Sequence, residues 1–212
     1  MAAPKVVILD YGSGNLRSAE RALVRVGADV TVTPDLDAAA AADGLVVPGV
    51  GAFAACMAGI DTLGAAAVIS ARVAAGRPVL GICVGMQILF EYGDEHGVVT
   101  KGMGLLPGGV TRLDAPVVPH MGWNTVAAPP GSVLFAGLGP ETRFYFVHSY
   151  AARPGDALDA GTDWITTTVH GGEFVAAVET GHLAATQFHP EKSGDAGAAL
   201  LRNWLSTVPS SG

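Results

Sequence analysis

The sequence is poor in cysteine, in basic residues and in long hydrophobic runs. Two cysteines, Cys56 and Cys83, occur among its 212 residues. This is too few for a disulfide framework and is typical of a reducing compartment. Lys and Arg number 12 against 19 Asp and Glu, which gives a net charge of -7. Since no basic cluster offsets this balance, neither a nucleic acid nor an anionic membrane is expected as the main partner.

An apolar, uncharged stretch extends from residue 44 to residue 60. It is slightly too short for a membrane-spanning helix and is interrupted by Pro48, Gly49 and Gly51. The N-terminal segment MAAPKVVILD passes directly into a predicted strand, without the hydrophobic region of a signal peptide. We therefore expect no membrane segment and a cytoplasmic location.

Hydrophobic residues make up half of the chain, which favours a single α/β domain with a large core. In the first half, hydrophobic strands alternate with helical patterns, as in a parallel sheet that helices cover on both faces. After Gly93, short strand-like segments are separated by turns. We predict an open, mostly parallel twisted sheet with an antiparallel extension. Residues 1–206 are assigned to this domain and residues 207–212 to a flexible C-terminal tail.

The periodicity of apolar residues also predicts the individual elements. Those of the first half are strands at 5–10, 30–33, 45–48 and 78–82, and helices at 16–26, 37–42, 53–75 and 84–91. Those of the second half are strands at 110–113, 123–126, 144–149, 164–168, 174–179 and 183–187, and a closing helix at 196–205.

Cys83 lies in the segment GICVGMQ, between a predicted strand and a predicted helix. In a G-x-C-x-G pattern, the glycines let the backbone pack closely around a strained turn that presents a nucleophile. The N-terminus of the following helix favours the thiolate form. The local pattern is equally compatible with a small, buried core residue, which is the usual environment of a free cysteine. For Cys56 the core interpretation is favoured.

A thiol nucleophile needs a base, and one of the six histidines stands in a suitable segment. His189 and Glu191 are two residues apart in QFHPEKS. The intervening Pro190 favours an extended backbone at His189, which points both side chains in the same direction. Glu191 is then placed to orient the imidazole, as the third member of a catalytic triad does. An exposed turn is an equal alternative for this segment taken alone.

The sequence Pro48-Gly49-Val50-Gly51 follows a neighbouring predicted strand. Ligands bind at the carboxyl ends of the strands in open parallel sheets, so this loop and Cys83 are expected at one edge. The backbone N–H groups of Gly49, Val50 and Gly51, with that of Val84, are candidates for an oxyanion hole. The alternative is an ordinary glycine turn.

Together these motifs resemble the class I glutamine amidotransferases, whose nucleophile turn reads G-x-C-x-G-x-Q and whose base and acid stand in H-P-E. The resemblance covers essentially the whole chain and implies the flavodoxin-like fold of that family. It also implies that Cys83, His189 and Glu191 form a triad that hydrolyses glutamine to glutamate and ammonia through a thioester. No cofactor and no metal is implied.

Five further segments carry the resemblance to a particular branch of the family: DYGSGNLRS, PGVGAF, HMGWN, YFVHSY and FHPEKS. They are most similar to a glutaminase subunit that passes ammonia to a separate (β/α)8 cyclase subunit, in a one-to-one heterodimer. Asn15, Lys192 and Trp123 would then face the cyclase. Without the resemblance, Trp123 is compatible with either a core position or a subunit interface.

The resemblance further implies how glutamine is bound. Gln87 and the backbone of Gly51 would hold one end of the substrate, and His148, Ser149 and Tyr150 would contact its α-amino acid end. Taken without the resemblance, YFVHSY is more typical of an interior strand in which a neighbour satisfies His148.

Two alternative functions remain open. The first is the glutaminase subunit of another synthase, such as anthranilate or aminodeoxychorismate synthase, although PGVGAF and HMGWN weigh against it. The second is a non-catalytic protein with a redox-active cysteine on a similar turn, whose chemistry would not depend on His189 or Glu191. A metal enzyme is disfavoured because these two residues lack further ligands at a suitable spacing.

Overall fold

The computed structural model describes residues 2–155 and 164–209 of the chain. In the first half, the elements are β1 (Lys5–Leu9), α1 (Leu16–Arg25), β2 (Asp29–Thr33), α2 (Leu36–Ala41), β3 (Gly44–Gly49), α3 (Phe53–Leu63), α4 (Ala65–Ala74), β4 (Val79–Cys83), α5 (Val84–Gln87), β5 (Phe90–Glu95) and β6 (Val98–Lys101). In the second half they are β7 (Leu106–Arg112), β8 (His120–Thr125), β9 (Arg143–His148), β10 (Tyr150–Ala152), β11 (Trp164–His170), β12 (Gly172–Thr180), β13 (Leu183–Thr186), a 3-10 turn (Pro190–Lys192) and α6 (Gly194–Ser206).

The main sheet has seven strands in the order β11-β12-β13-β4-β3-β1-β2. The five strands from β13 to β2 are parallel, and β12 and β11 extend the sheet in antiparallel pairing. Strands β3 and β4 are buried along their whole length, as expected for central parallel strands. The predicted mostly parallel sheet with an antiparallel extension is confirmed.

The predicted single helix at 53–75 was wrong, because Gly64 divides it into α3 and α4. Gly64 adopts a φ of 75°, the left-handed conformation that ends many helices and that glycine adopts without steric cost. The two helices meet at an angle of 90°. Among the described residues, no single helix is long and apolar enough to cross a membrane; α3 and α4 meet that criterion of length and composition only as a bent pair.

The predicted helix at 84–91 was also too long, since α5 ends at Gln87 and β5 begins at Phe90. The residues from Ile88 to Phe90 form a short run of buried apolar side chains, and the periodicity of such a run does not distinguish a short helix from a strand. Strand β5 belongs to a second, four-stranded sheet in the order β10-β7-β5-β6, and β8 and β9 form a separate two-stranded ribbon. The sequence did not predict either unit.

The C-terminal helix α6 packs Trp204 and its apolar neighbours into the core. Within the segment predicted as a flexible tail, Val208 is buried and packs beside Trp204 against Gly44. Residues 210–212 of that segment lie outside the described residues.

Candidate active site

Cys83 occupies a sharp turn between a strand and a helix. It is the last residue of β4 and directly precedes α5, with φ of 57° and ψ of -115°. A positive φ is costly for a residue with a side chain and is found where the surrounding structure enforces it, often at functional sites. The side chain is 4 % exposed. This geometry is that of a nucleophile elbow, as the G-x-C-x-G pattern predicted.

The two glycines of the pattern allow this turn to pack against the neighbouring strand. A Cβ atom on Gly85 would lie 1.9 Å from the carbonyl oxygen of Val47 in β3. A Cβ atom on Gly81 would lie 2.9 Å from the carbonyl oxygen of Gly85. Because both neighbours are backbone atoms, a side chain at Gly85 would force β3 and the elbow apart, and a side chain at Gly81 would force β4 and α5 apart.

His189 and Glu191 lie beside Cys83 in the structure. The His189 Nδ1 atom donates a hydrogen bond of 2.7 Å to Oε1 of Glu191, and the two side chains are only 2 % and 3 % exposed. The thiol of Cys83 lies close enough to the imidazole to raise the pKa of His189. The structure thus brings together the three residues that sequence analysis proposed as a triad.

The protonation of His189 follows from these contacts. Burial alone lowers the pKa of an imidazole, but the hydrogen bonds and charges of Cys83 and Glu191 outweigh it and raise the pKa of His189 to about 9. At neutral pH the imidazole therefore carries a proton, which is the state required to protonate a leaving group.

Gln187 is a further polar group at the sulfur, and it was not predicted from the sequence. Its side chain is 1 % exposed, and its Nε2 atom lies 3.8 Å from Sγ of Cys83. Its Oε1 atom accepts a hydrogen bond of 3.0 Å from Nε2 of Gln87, which also donates to the carbonyl of Tyr150 at 2.8 Å. Gln187 is two positions before His189, so the period of two in an extended chain was a signal that could have placed both side chains on one face.

The 48–51 loop lies next to the elbow, because Gly49 pairs with Cys83 in the parallel ladder of β3 and β4. The N–H of Val50 donates to Oγ of Ser13 at 3.2 Å, and its carbonyl accepts hydrogen bonds from Ser13 Oγ at 2.9 Å and Cys56 Sγ at 3.4 Å. In this conformation the predicted oxyanion donor of Val50 is therefore engaged with Ser13. Gly51 is exposed, with a φ of 87°.

Val84, the other predicted oxyanion donor, is the first residue of α5. The first N–H groups of a helix have no acceptor within the helix. Its N–H follows the nucleophile directly, which is the usual position of an oxyanion donor in a nucleophile elbow. Cys56 is fully buried, as expected, and its burial raises the pKa of its thiol.

His148, predicted as a substrate contact, is buried at the end of β9. Its Nδ1 atom is 3.0 Å from the carbonyl of Tyr150, and its Nε2 atom is 3.2 Å from Nδ1 of His120. Because a carbonyl only accepts, Nδ1 of His148 carries the proton and Nε2 accepts from His120. Both ring nitrogens are engaged within the protein, whereas Ser149 and Tyr150 are half-buried.

The predicted interface residues lie at the surface around this site. Asn15 precedes α1 and is half-buried, as is Lys192, which follows Glu191 in the 3-10 turn. Trp123 is 54 % exposed, and Met121 on the same face of β8 is 63 % exposed. Trp123 is therefore a surface residue rather than a core anchor.

Among the described residues, no group of three or more His, Cys, Asp or Glu side chains is arranged to hold a metal ion. The groups that the structure places around Cys83 are an imidazole, a carboxylate, two side-chain amides and backbone N–H groups.

Comparisons with known proteins agree with this arrangement. The family model of glutamine amidotransferase class-I matches residues 7–208. The chain is 65% identical over 208 residues to the imidazole glycerol phosphate synthase subunit HisH of Mycolicibacterium paratuberculosis, covering 98% of this chain and 100% of the relative. It is 63% identical over 209 residues to the protein of the same name from Thermobifida fusca, covering 97% and 99%.

Solved structures with the same fold are more distant in sequence. The glutaminase domain of CTPS from Trypanosoma brucei, with bound acivicin, superposes with a TM-score of 0.70 at 17% identity, covering 99% of this chain and 96% of that one. PurLQS from Thermotoga maritima gives a TM-score of 0.69 at 21% identity, covering 99% and 100%. At this level of identity, the similarity shows the fold alone.

Proposed function

We propose that this chain, which belongs to the class I glutamine amidotransferase family, is the glutaminase subunit of imidazole glycerol phosphate synthase. The observation that carries the proposal is the buried arrangement of Cys83, His189 and Glu191 on a nucleophile elbow. The full-length identity to relatives of that name supports this synthase over the anthranilate or aminodeoxychorismate type.

In the proposed reaction, the Cys83 thiolate attacks the side-chain amide carbon of glutamine, and a tetrahedral intermediate forms. As the C–N bond breaks, His189 gives its proton to the departing ammonia, and a γ-glutamyl thioester remains on the sulfur. His189 then removes a proton from water, which attacks the thioester and releases glutamate. Glu191 orients the imidazole and stabilises its charged form through the 2.7 Å hydrogen bond.

The negative oxygen of each tetrahedral intermediate needs hydrogen-bond donors. The N–H of Val84 supplies one, and the 49–51 loop supplies the other once the Val50 peptide turns away from Ser13. The loss of one such donor lowers the rate by about 10²–10³-fold. The orientation of this peptide therefore acts as a switch between a slow and a fast enzyme, and we propose that the partner controls it.

Glutamine binding is proposed to use Gln87, the backbone of Gly51, and Ser149 with Tyr150. The Nε2 atom of Gln87 donates to two acceptors within the protein, so its carbonyl oxygen is the part of the amide that remains to accept from the substrate. His148 supports this region from the interior through its bond to the Tyr150 carbonyl.

The proposed partner is a (β/α)8 cyclase subunit in a heterodimer, with Asn15, Lys192 and Trp123 on the shared surface. Exposed aromatic and methionine side chains such as Trp123 and Met121 are enriched at protein interfaces. Ammonia would pass to the cyclase without entering bulk water. The cyclase would use it in a lyase reaction that converts an aminoimidazole-carboxamide ribonucleotide, PRFAR, to imidazole glycerol phosphate and AICAR. We place this step of histidine biosynthesis in the cytoplasm.

The test is glutamate release from glutamine by the chain alone and by the chain with the cyclase and PRFAR, with Cys83→Ala as the control. Strong stimulation in the full mixture, abolished by the control, is the expected result. Rapid glutamate release without the partner would contradict the switch, and absence of release in every mixture would contradict the proposed function. Glutamate release that persists in His189→Ala would contradict the triad.

A further inference from the structure

We propose that Gln187 is a catalytic residue of the glutaminase reaction, because its side-chain N–H donates to the sulfur of Cys83 and stabilises the attacking thiolate. This inference rests on the proposed function, since it takes Cys83 as the nucleophile. It adds a fourth side chain to the three of the triad.

The contact between Gln187 and Cys83 is buried away from water. Nε2 of Gln187 lies 3.8 Å from Sγ of Cys83, and the two side chains are 1 % and 4 % exposed. A buried thiolate needs hydrogen-bond donors, because it has lost those of water. A hydrogen bond to a charged acceptor is roughly twice as strong as one between neutral groups. The N–H of Gln187 therefore favours the thiolate over the thiol.

The two ends of the Gln187 amide have nearly the same shape, so the neighbouring atoms decide which end is the nitrogen. The Tyr150 carbonyl can only accept, so the atom of Gln87 at 2.8 Å from it must be the nitrogen. That same nitrogen lies 3.0 Å from the other amide, so the atom of Gln187 facing it must be the oxygen. The nitrogen of Gln187 is then left facing the sulfur.

The chain of contacts from Tyr150 through Gln87 and Gln187 to Cys83 thus aims a donor at the reacting atom. His189 supplies a second, independent interaction with the same sulfur. The two groups differ in one respect, because an imidazole gains and loses its proton during the reaction whereas an amide does not titrate. Gln187 can therefore stabilise negative charge on the sulfur at both points where it arises, before the attack on glutamine and when the thioester breaks and the thiolate returns.

The experiment compares Gln187→Met with Thr186→Val. Thr186 directly precedes Gln187 and is the last residue of β13. It is equally buried, but its hydroxyl donates to the Phe188 carbonyl rather than to the sulfur. The rate at which iodoacetamide alkylates Cys83 in the full-length chain is measured against pH, with the site verified by peptide mass. The kcat and KM for glutamine are measured in the complex with the cyclase and PRFAR.

We expect the pH profile of the alkylation rate of Gln187→Met to move to higher pH by about one unit. This is the shift expected from the loss of one hydrogen bond to a charged group. The kcat is expected to fall by about tenfold or more on the same basis, with KM changed by less than about twofold. Thr186→Val is expected to keep the wild-type profile.

A second variant, Gln187→Glu, retains the shape of the side chain and an oxygen that accepts the hydrogen bond of Gln87. It tests the role of Gln187 if Gln187→Met does not fold. Its profile is also expected to move to higher pH, because a carboxyl group replaces the amide donor. An unchanged profile in the folded variants would overturn the role of Gln187. That result would leave the proposed function intact as long as the wild-type complex releases glutamate and Cys83→Ala does not.

Discussion

The hydroxyl oxygen of Ser13 bridges both polar groups of Val50, accepting from its N–H at 3.2 Å and donating to its carbonyl at 2.9 Å. Cys56 adds a third contact, with Sγ 3.2 Å from the same hydroxyl. The 49–50 peptide, whose N–H would complete the oxyanion hole, is therefore held by Ser13, and the following 50–51 peptide is held by Ser13 and Cys56. Releasing this peptide requires that the contacts with Ser13 be broken.

Ser13→Ala is expected to raise glutamate release by the chain without its partner by about fivefold, because a neutral hydrogen bond contributes about 1 kcal/mol. The stimulation by the cyclase and PRFAR should shrink by a similar factor. The measurement is steady-state glutamate release with and without the partner. Ser206→Ala, at an exposed hydroxyl on the last turn of α6, is the matched control. An unchanged basal rate in Ser13→Ala would show that these contacts do not restrain the loop.

Gly85→Ala is expected to reduce stability by several kcal/mol and to abolish glutamate release. The added Cβ atom would lie 1.9 Å from the Val47 carbonyl oxygen, so either the elbow or β3 must move. Gly139→Ala is the control, since among the described residues no atom beyond its chain neighbours lies within 4 Å of a Cβ atom there. Chemical denaturation followed by circular dichroism gives the free energy of unfolding. Near wild-type stability and activity in Gly85→Ala would contradict the tight packing of the elbow.

Arg72→Met is expected to destabilise the fold by about 3 kcal/mol or more, because it removes a buried, charged donor that several backbone carbonyls share. The Arg72 guanidinium is 2 % exposed and donates to five backbone carbonyls between α2 and β4, those of Ala39, Ala40, Ala42, Asp43 and Pro78. Burial lowers its pKa to about 10, which leaves it charged at neutral pH.

The control for this prediction is Arg202→Met, at an exposed position of α6. The midpoint and slope of urea denaturation are compared for the two variants. Equal stability of Arg72→Met and wild type would show that the carbonyls find other partners. The kcat of correctly folded Arg72→Met should be unchanged, since the residue is not among those that line the active site.

Because His120 and His148 are buried, the fold is expected to lose stability as the pH falls below about 6.5, the usual pKa of histidine. Burial lowers the pKa of His120 to about 4 and that of His148 to about 3. The unfolded chain therefore binds protons that the folded chain does not, and the stability present above pH 6.5 is lost toward pH 4. The expected loss is about 3 kcal/mol for each ring.

The measurement is the free energy of unfolding from pH 7 to pH 4.5 for wild type, His120→Gln and the exposed control His182→Gln. His120→Gln should show a shallower dependence on pH, although its stability at pH 7 is lower. The control should follow the wild type. Equal slopes in all three proteins would contradict the buried, neutral state of His120.

The parts of the site that follow from local sequence patterns could be predicted. Cys83 needs glycines close to it in the chain, and Glu191 reaches His189 because the two are separated by one proline. The contact between Ser13 and Val50 could not be predicted, because it depends on how the loops after β1 and β3 approach each other. Gln187 was missed because its role depends on Gln87, which the fold brings to it from another element.

The main sheet could also be predicted from local patterns, since parallel strands that are buried on both faces are continuous runs of hydrophobic residues. The second sheet could not, because the apolar residues of β5 directly follow those of α5 and the two patterns merge. The break at Gly64 was hidden in the same way by apolar residues on both sides.

The hydrogen bonds of Gln87 connect the seven-stranded sheet with the four-stranded sheet. Tyr150 belongs to β10 of the four-stranded sheet, and Gln187 follows β13 of the seven-stranded sheet. The arrangement of the reactive groups therefore depends on both sheets. A graft of the elbow and the 187–191 segment onto another parallel sheet would transplant the nucleophile, the base and the acid. It would leave behind the carbonyl of Tyr150, which through Gln87 fixes the end of the Gln187 amide that faces the sulfur.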